Sequence, residues 1–259
     1  MKTTTTLAIV FVSAIIFTGC RSVSPLECPN ECTHASIAAK PLCGIDEPNK
    51  PRSFWKTRWE AKLKQAKAEG DKCSIVLLGD SITHFWETKG KEVFDETFPK
   101  YHTLNLGFSG DRTQHTLWIA QESGVFDIVH PKIIVMMIGT NNIGWKESSP
   151  DEAACGIRQI LKALRQNAPQ AKILLFNVFP CGEKPTATNR QLVNQINAQL
   201  PSMADGKHII HLSINDKLMD ADGVISKSMM ADFLHPGKPG YIIWRDAMLP
   251  YIDKFISHP

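Results

Sequence analysis

Five short stretches of this 259-residue chain are apolar on both faces, and stretches with helical spacing lie between them. The strands expected are residues 73–78, 102–106, 132–138, 172–178 and 208–212. A strand that reads as a continuous apolar run is buried on both sides, which is the pattern of a parallel sheet covered by helices. The intervening stretches supply the helices that parallel crossovers need. Residues 52–69 carry Trp55, Trp59 and Leu63 at spacing four, and Val93 and Phe94 sit in a short helix. A helix is expected over 111–122, with Asp111 as its cap and Gln114 three residues on. Ser149-Pro150-Asp151-Glu152 opens another, with a capping serine, a proline at the first helical position and an acid at the third. Residues 186–200 and 240–256 complete the set, with Pro250 expected to break or kink the last helix.

The fold class expected is therefore α/β: a three-layer α/β/α sandwich around a five-stranded, mainly parallel sheet, wound by right-handed crossovers. In such folds ligands sit beyond the carboxyl ends of the strands. Functional residues are accordingly expected just after strands.

The first fifty residues are different in character. Lys2 and a run of threonines precede an apolar stretch over 7–17, too short for a bilayer span of about 20 residues. It fits the apolar region of a secretory signal. The stretch ends Phe17-Thr18-Gly19-Cys20, and a small residue followed by Cys resembles a bacterial lipoprotein signal. The expectation is a signal peptide of lipoprotein type over 1–19, export, and lipidation at Cys20 that tethers the protein to a membrane. An ordinary cleaved signal is the plain alternative. Residues 20–50, with Pro25, Pro29, Pro41 and Pro48, read as a Cys- and Pro-containing tether, and residues 51–259 as the folded domain.

The six cysteines other than Cys20 suit an exported protein, but six allow fifteen pairings and the sequence does not choose among them. Cys28-x-x-x-Cys32 has no histidine pair at finger spacing behind it, so no metal is expected. A net charge of +3 with no clustered Lys/Arg stripe is too weak to argue for nucleic acid.

Four polar clusters follow the expected strands. They are Gly79-Asp80-Ser81, the loop from Asn105 through Gly107 and Gly110 to Asp111, Gly139-Thr140-Asn141-Asn142, and Asp232-Phe233-Leu234-His235 before the last helix. Read alone, Ser81 would only cap a turn and Asn141 would do the same. Together they suit nucleophilic catalysis. A serine hydroxyl needs a base, and the base needs an orienting acceptor. His235 can be the base, and Asp232, three residues earlier, can fix its tautomer. The oxyanion needs aimed donors, and the backbone N–H groups of Ser81 and Gly110 with the Asn141 amide are candidates. Gly107 is the fallback for Gly110. No G-x-S-x-G elbow, P-loop or dinucleotide fingerprint is present.

These four blocks, in this order, resemble the SGNH (GDSL-type) hydrolase superfamily over most of residues 51–256. The stretch Asn105-Leu106-Gly107-Phe108-Ser109-Gly110-Asp111-Arg112-Thr113-Gln114-His115-Thr116-Leu117-Trp118 looks closest to the catalytic subunits of intracellular platelet-activating-factor acetylhydrolases and their bacterial relatives. The resemblance implies a flavodoxin-like sheet, hydrolysis of short acyl esters and no metal or other cofactor. It makes Ser81 the nucleophile, His235 the base, Asp232 its orienter, and Ser81, Gly110 and Asn141 the oxyanion hole. Two departures are Ser81-Ile82 where the family has Ser-Leu, and Asn141-Asn142 where many members have Asn-Asp. The substrate expected is an acetylated carbohydrate. A phospholipid or lysophospholipid is the alternative, and a silent carbohydrate-binding module on the same fold is the rival from another class. Trp145, in the loop after Asn141, is a candidate wall of the acyl or leaving-group pocket.

Overall fold

The computed structural model describes residue 42 and residues 53–257. The signal, the Cys20 lipidation site, Cys28, Cys32, Cys43 and the tether (residue 42 apart) lie outside the described residues, as does the domain start at Pro51. Five strands, β1 (Ile75–Gly79), β2 (Leu104–Gly107), β3 (Ile133–Met137), β4 (Lys172–Phe176) and β5 (Ile209–Leu212), form one sheet in the order β2-β1-β3-β4-β5. Every pairing is parallel. The expected mainly parallel sheet is thus wholly parallel, and its order is the flavodoxin-like one. All residues of β1, β2 and β3 are buried, which is why they read as unbroken apolar runs.

Eight helices surround the sheet among the described residues: α1 (Ser53–Glu69), α2 (Ser81–His84), α3 (Lys91–Thr97), α4 (Thr113–Gln121), α5 (Thr140–Gly144), α6 (Pro150–Asn167), α7 (Thr188–Asn197) and α8 (Lys238–Ile252). On one side α4 packs on α6 and α6 on α7; α3 and α8 pack together on the other. Two aromatic clusters fasten these layers. Trp55 of α1 stacks with Trp59 and with Phe108, Trp59 tilts against Phe108, and both indoles meet Trp118 of α4 edge-on. Trp86 meets Phe98 and Tyr241 edge-on and tilts against Trp244. Such pairs add about 0.5–1.5 kcal/mol each beyond the area they bury.

The cap of α6 forms as its sequence dictates: Ser149 Oγ accepts from the Glu152 N–H, and the Glu152 carboxylate accepts from the Ser149 N–H. The cap of α4 is a correction. Asp111 does not begin that helix, because its carboxylate accepts the Trp55 indole N–H at 3.0 Å and its own N–H closes a turn onto Phe108. Arg112 takes the cap position, with its N–H donated to His115 Nδ1. At Pro250 the expected break does not occur. The helix runs through it to Ile252 and then passes into a π-helical turn over Asp253–Ser257. Pro250 is exposed, so the carbonyl it leaves without a donor faces water rather than the core.

Cys155 on α6 is disulfide-bonded. Cys73 and Cys181 are buried free thiols. No helix among the described residues is long and apolar enough to cross a membrane.

Candidate active site

The strand register sets the site. Gly79 at the end of β1 is level with Gly107 on β2 and with Met137 on β3. Ser81, Gly110 and Asn141, each a few residues further on, therefore leave the same edge of three adjacent strands. The close approach at this edge excludes side chains. A Cβ on Gly79 would lie 2.2 Å from the Met137 carbonyl oxygen and 2.4 Å from Thr83 Oγ1. A Cβ on Gly107 would lie 2.4 Å from the His84 nitrogen.

Between Gly79 and Ser81, Asp80 turns the strand into a helix. Its Oδ1 accepts the Ile82 N–H at 2.9 Å, capping α2. The carboxyl is fully buried. Burial pushes it up to about 7, against the Ile82 N–H and the nearby Thr140 hydroxyl, which favour the charged form. That hydroxyl approaches without a well-formed hydrogen bond, since neither Asp80 Oδ2 nor Thr140 Oγ1 has a partner of good geometry.

Ser81 is the first residue of α2, so its N–H has no acceptor within the helix. Its Oγ lies 2.9 Å from His235 Nε2, and His235 Nδ1 lies 2.8 Å from Asp232 Oδ2. A carboxylate can only accept, so Nδ1 carries the proton and Nε2 is the free acceptor for the Ser81 hydroxyl. Asp232 Oδ1 also accepts the N–H groups of Leu234 and His235, at 3.1 and 2.8 Å. Burial pushes the Asp232 carboxyl up. The bonds from the His235 N–H and imidazole, then the imidazole's charge and the Leu234 N–H, outweigh it and hold the group well below the usual carboxylate range. Lys89 Nζ stands 3.3 Å from the same Oδ2.

The turn that brings Asp232 under His235 passes through Phe233 with a left-handed φ of 55°, a conformation non-glycine residues hold only where surroundings enforce it. Here the Gly182 N–H donates to the Phe233 carbonyl at 2.8 Å. Gly182 is held in turn by buried Arg190, which donates to the carbonyls of Cys181, Gly182 and Gly223. On the far side Phe85 lies 4.9 Å, ring to ring, from His235. Tyr241 of α8 donates its hydroxyl to the Ile82 carbonyl at 2.7 Å, joining the helix after His235 to the helix that begins with Ser81.

The remaining donors complete the arrangement. Gly110 has a left-handed φ of 81°, and its N–H donates to no acceptor among the described residues. Asn141 spends one amide hydrogen on the Asp111 carbonyl at 2.8 Å, which leaves the other available. Asn142 is fully buried. It accepts from the Thr113 N–H and donates to the Thr113 hydroxyl, each at 3.0 Å. An amide does both jobs, and these bonds tie α5 to the start of α4.

Beside Ser81, His235 and Asp232 opens a cleft of about 570 Å³, lined by Asn141, Trp145, Gly182, Asn189, Asp232 and Leu234 among others. Trp145 stands where the sequence placed it, with the Arg112 guanidinium 4.9 Å from its ring centre. Arg112 also pairs with Glu147. Tyr241, Arg190 and His84 were not singled out as site residues. Their contacts join distant parts of the chain, and no local motif signals them.

The profile of the GDSL-like Lipase/Acylhydrolase family matches residues 77–243. Platelet-activating factor acetylhydrolase IB subunit alpha2 of Rattus norvegicus is 35% identical over 170 residues, 64% of this chain and 70% of that protein. The alpha1 subunit of Homo sapiens is 32% identical over 168 residues, 64% of this chain and 70% of its own length. A GDSL-like lipase from Bacteroides thetaiotaomicron shares the fold, with a TM-score of 0.64 at 20% identity, over 76% of this chain and 97% of that one. An acetyl xylan esterase from Geobacillus stearothermophilus does so with a TM-score of 0.55 at 18% identity, over 71% and 95%.

Proposed function

Because the chain belongs to the GDSL-like lipase/acylhydrolase family and is a carboxylic-ester hydrolase, we propose that it is an exported serine esterase that removes short acyl groups, acetyl above all, from carbohydrates. The observation that carries this reading is the hydrogen-bonded chain from Ser81 through His235 to Asp232.

In this mechanism Ser81 Oγ attacks the ester carbonyl carbon as its proton passes to His235 Nε2. The carbonyl oxygen becomes an oxyanion facing the N–H groups of Ser81 and Gly110 and the free amide hydrogen of Asn141. One such donor is worth roughly 3–4 kcal/mol in the transition state. Collapse of the adduct expels the alcohol, which takes the proton from Nε2. Water then repeats the sequence on the acyl-enzyme: it gives a proton to His235, releases the carboxylic acid and restores Ser81. Asp232 stays ionised and holds the imidazole in the working tautomer.

The cleft favours a short acyl group on a polar alcohol. It is compact, and its walls mix the amides of Asn141 and Asn189 with the indole of Trp145. A second reading keeps the mechanism and takes an acetylated phospholipid or lysophospholipid; the 35% identity to a platelet-activating factor acetylhydrolase subunit favours it. A lipoprotein tether at Cys20 would place either activity at a membrane.

The test compares p-nitrophenyl acetate with longer esters, for wild type and Ser81→Ala. The expected result is a preference for acetate and a loss of at least about 10³-fold in kcat/KM on substitution. Full activity in Ser81→Ala would falsify the mechanism. Acetate release from acetylated glycans against acetylated phospholipids then separates the two substrates.

A further inference from the structure

We infer that His84 and Ser109 form a clamp that aims the Gly110 N–H at the reacting carbonyl, which makes both of them positioning residues for ester hydrolysis. The inference rests on the esterase reading above and adds to it a part that no triad or oxyanion-hole assignment includes.

The clamp joins two elements that must keep a fixed distance. His84 ends α2, three residues after Ser81, and its Nδ1 lies 2.9 Å from Ser109 Oγ. Ser109 directly precedes Gly110. The base of the same loop is anchored elsewhere: the Phe108 N–H donates to the Gly79 carbonyl at 3.0 Å, and Arg58 Nε donates to the Gly107 carbonyl at 2.8 Å. Those bonds fix where the loop starts. The Ser109–Gly110 peptide, whose rotation sets the direction of the Gly110 N–H, is bridged by His84 to the helix that carries the nucleophile. Serine and donor are thus referred to one rigid turn of backbone.

The imidazole suits a fixed bridge. It is partly buried in a groove with Arg58, Lys62 and Glu87. Burial, helped by the charges of Arg58 and Lys62 and opposed by that of Glu87, lowers it to about 4. His84 therefore stays neutral through the working range, and the bridge carries no charge that changes with pH. This sets it apart from His235, which must gain and lose a proton in every cycle.

An aimed donor that drifts costs less than one removed outright, which is about 10²–10³-fold. His84→Ala and Ser109→Ala are each expected to lower kcat on p-nitrophenyl acetate on the order of tenfold, with KM within about twofold. The double variant is expected to be no worse than either single one, because both break the same bond. His84→Asn, whose amide reaches the position of Nδ1, is expected to recover most of the rate. Amide hydrogen exchange over residues 107–112 reads the clamp without turnover and is expected to quicken in His84→Ala. Unchanged exchange, unchanged kcat in both single variants, or additive losses in the double variant would each overturn the clamp. A wild type without Ser81-dependent hydrolysis defeats the esterase reading instead, and takes the catalytic half of this inference with it.

Discussion

Ser81 Oγ and His235 Nε2, separated by 154 positions in the chain, stand 2.9 Å apart. One opens the short helix α2 just after β1; the other sits on a loop before the last helix. The same hydrogen bond therefore reports on sheet and loop together, and several measurements follow from how each side is held.

Asn141→Ala removes one proposed oxyanion donor and the bond to the Asp111 carbonyl. The expected outcome is a fall in kcat of about 10²–10³-fold, with KM little changed. Steady-state kinetics on p-nitrophenyl acetate checks it. A rise in KM at constant kcat would mean that Asn141 binds the ground state only.

Asp80→Asn tests a pH effect on stability. The folded carboxyl titrates at about 7, above its unfolded value of about 4. Between those pH values the folded state holds a proton that the unfolded state has released. By linkage this group's contribution to stability falls as pH rises from about 4 to 7 and then levels off. The neutral amide keeps an oxygen for the Ile82 N–H and has no such slope. The stability gained by Asp80→Asn over wild type, read by urea denaturation, should be larger at pH 8 than at pH 5. Equal gains at both pH values would contradict a raised Asp80.

Gly79→Ala places a methyl group against the backbone of β3, 2.2 Å from the Met137 carbonyl oxygen. Neither strand can yield without breaking the sheet. The expected loss of stability is about 3 kcal/mol or more, the severe end of overpacking. Thermal unfolding measures it, and a shift of less than a few degrees would show that the sheet gives way there.

Arg190→Met strands the buried carbonyl of Cys181 and removes the donors to the half-buried carbonyls of Gly182 and Gly223. The unsatisfied Cys181 carbonyl alone costs about 1–3 kcal/mol. Gly182 also holds the Phe233 carbonyl, so kcat is expected to fall in the fraction that remains folded. Arg190→Lys should not rescue it, because a lysine lacks the planar fork that serves several acceptors at once. Wild-type kcat in folded Arg190→Met would separate this residue from the catalytic turn.

The sheet was legible because residues 75–79 and 133–137 are buried on both faces, so their apolar runs carry no competing period. The four polar blocks were legible because each directly follows a strand or opens the final helix. Asp111 was misread as a cap because its true partner, the Trp55 indole, lies 56 positions away. Pro250 does not end its helix, because a helix tolerates proline where the freed carbonyl meets water. Tyr241 could not be read at all: its bond to the Ile82 carbonyl spans 159 positions, and a tyrosine on an apolar helix looks the same whether or not its hydroxyl has work to do. His84 carries no local signal either, since its partner Ser109 lies 25 positions away.

Ser81, Gly110 and Asn141 hang from buried strands, whereas His235 and Asp232, the proposed base and its orienter, ride on a turn whose Asp232 side chain is 47% exposed and whose Phe233 backbone is left-handed. The two halves of the site therefore belong to regions of unequal local stability. Warmth or mild denaturant should silence the enzyme by letting the turn at 232–235 relax while the sheet remains intact. Such a loss would be reversible on cooling, and it would precede any change in the signal of the buried tryptophans.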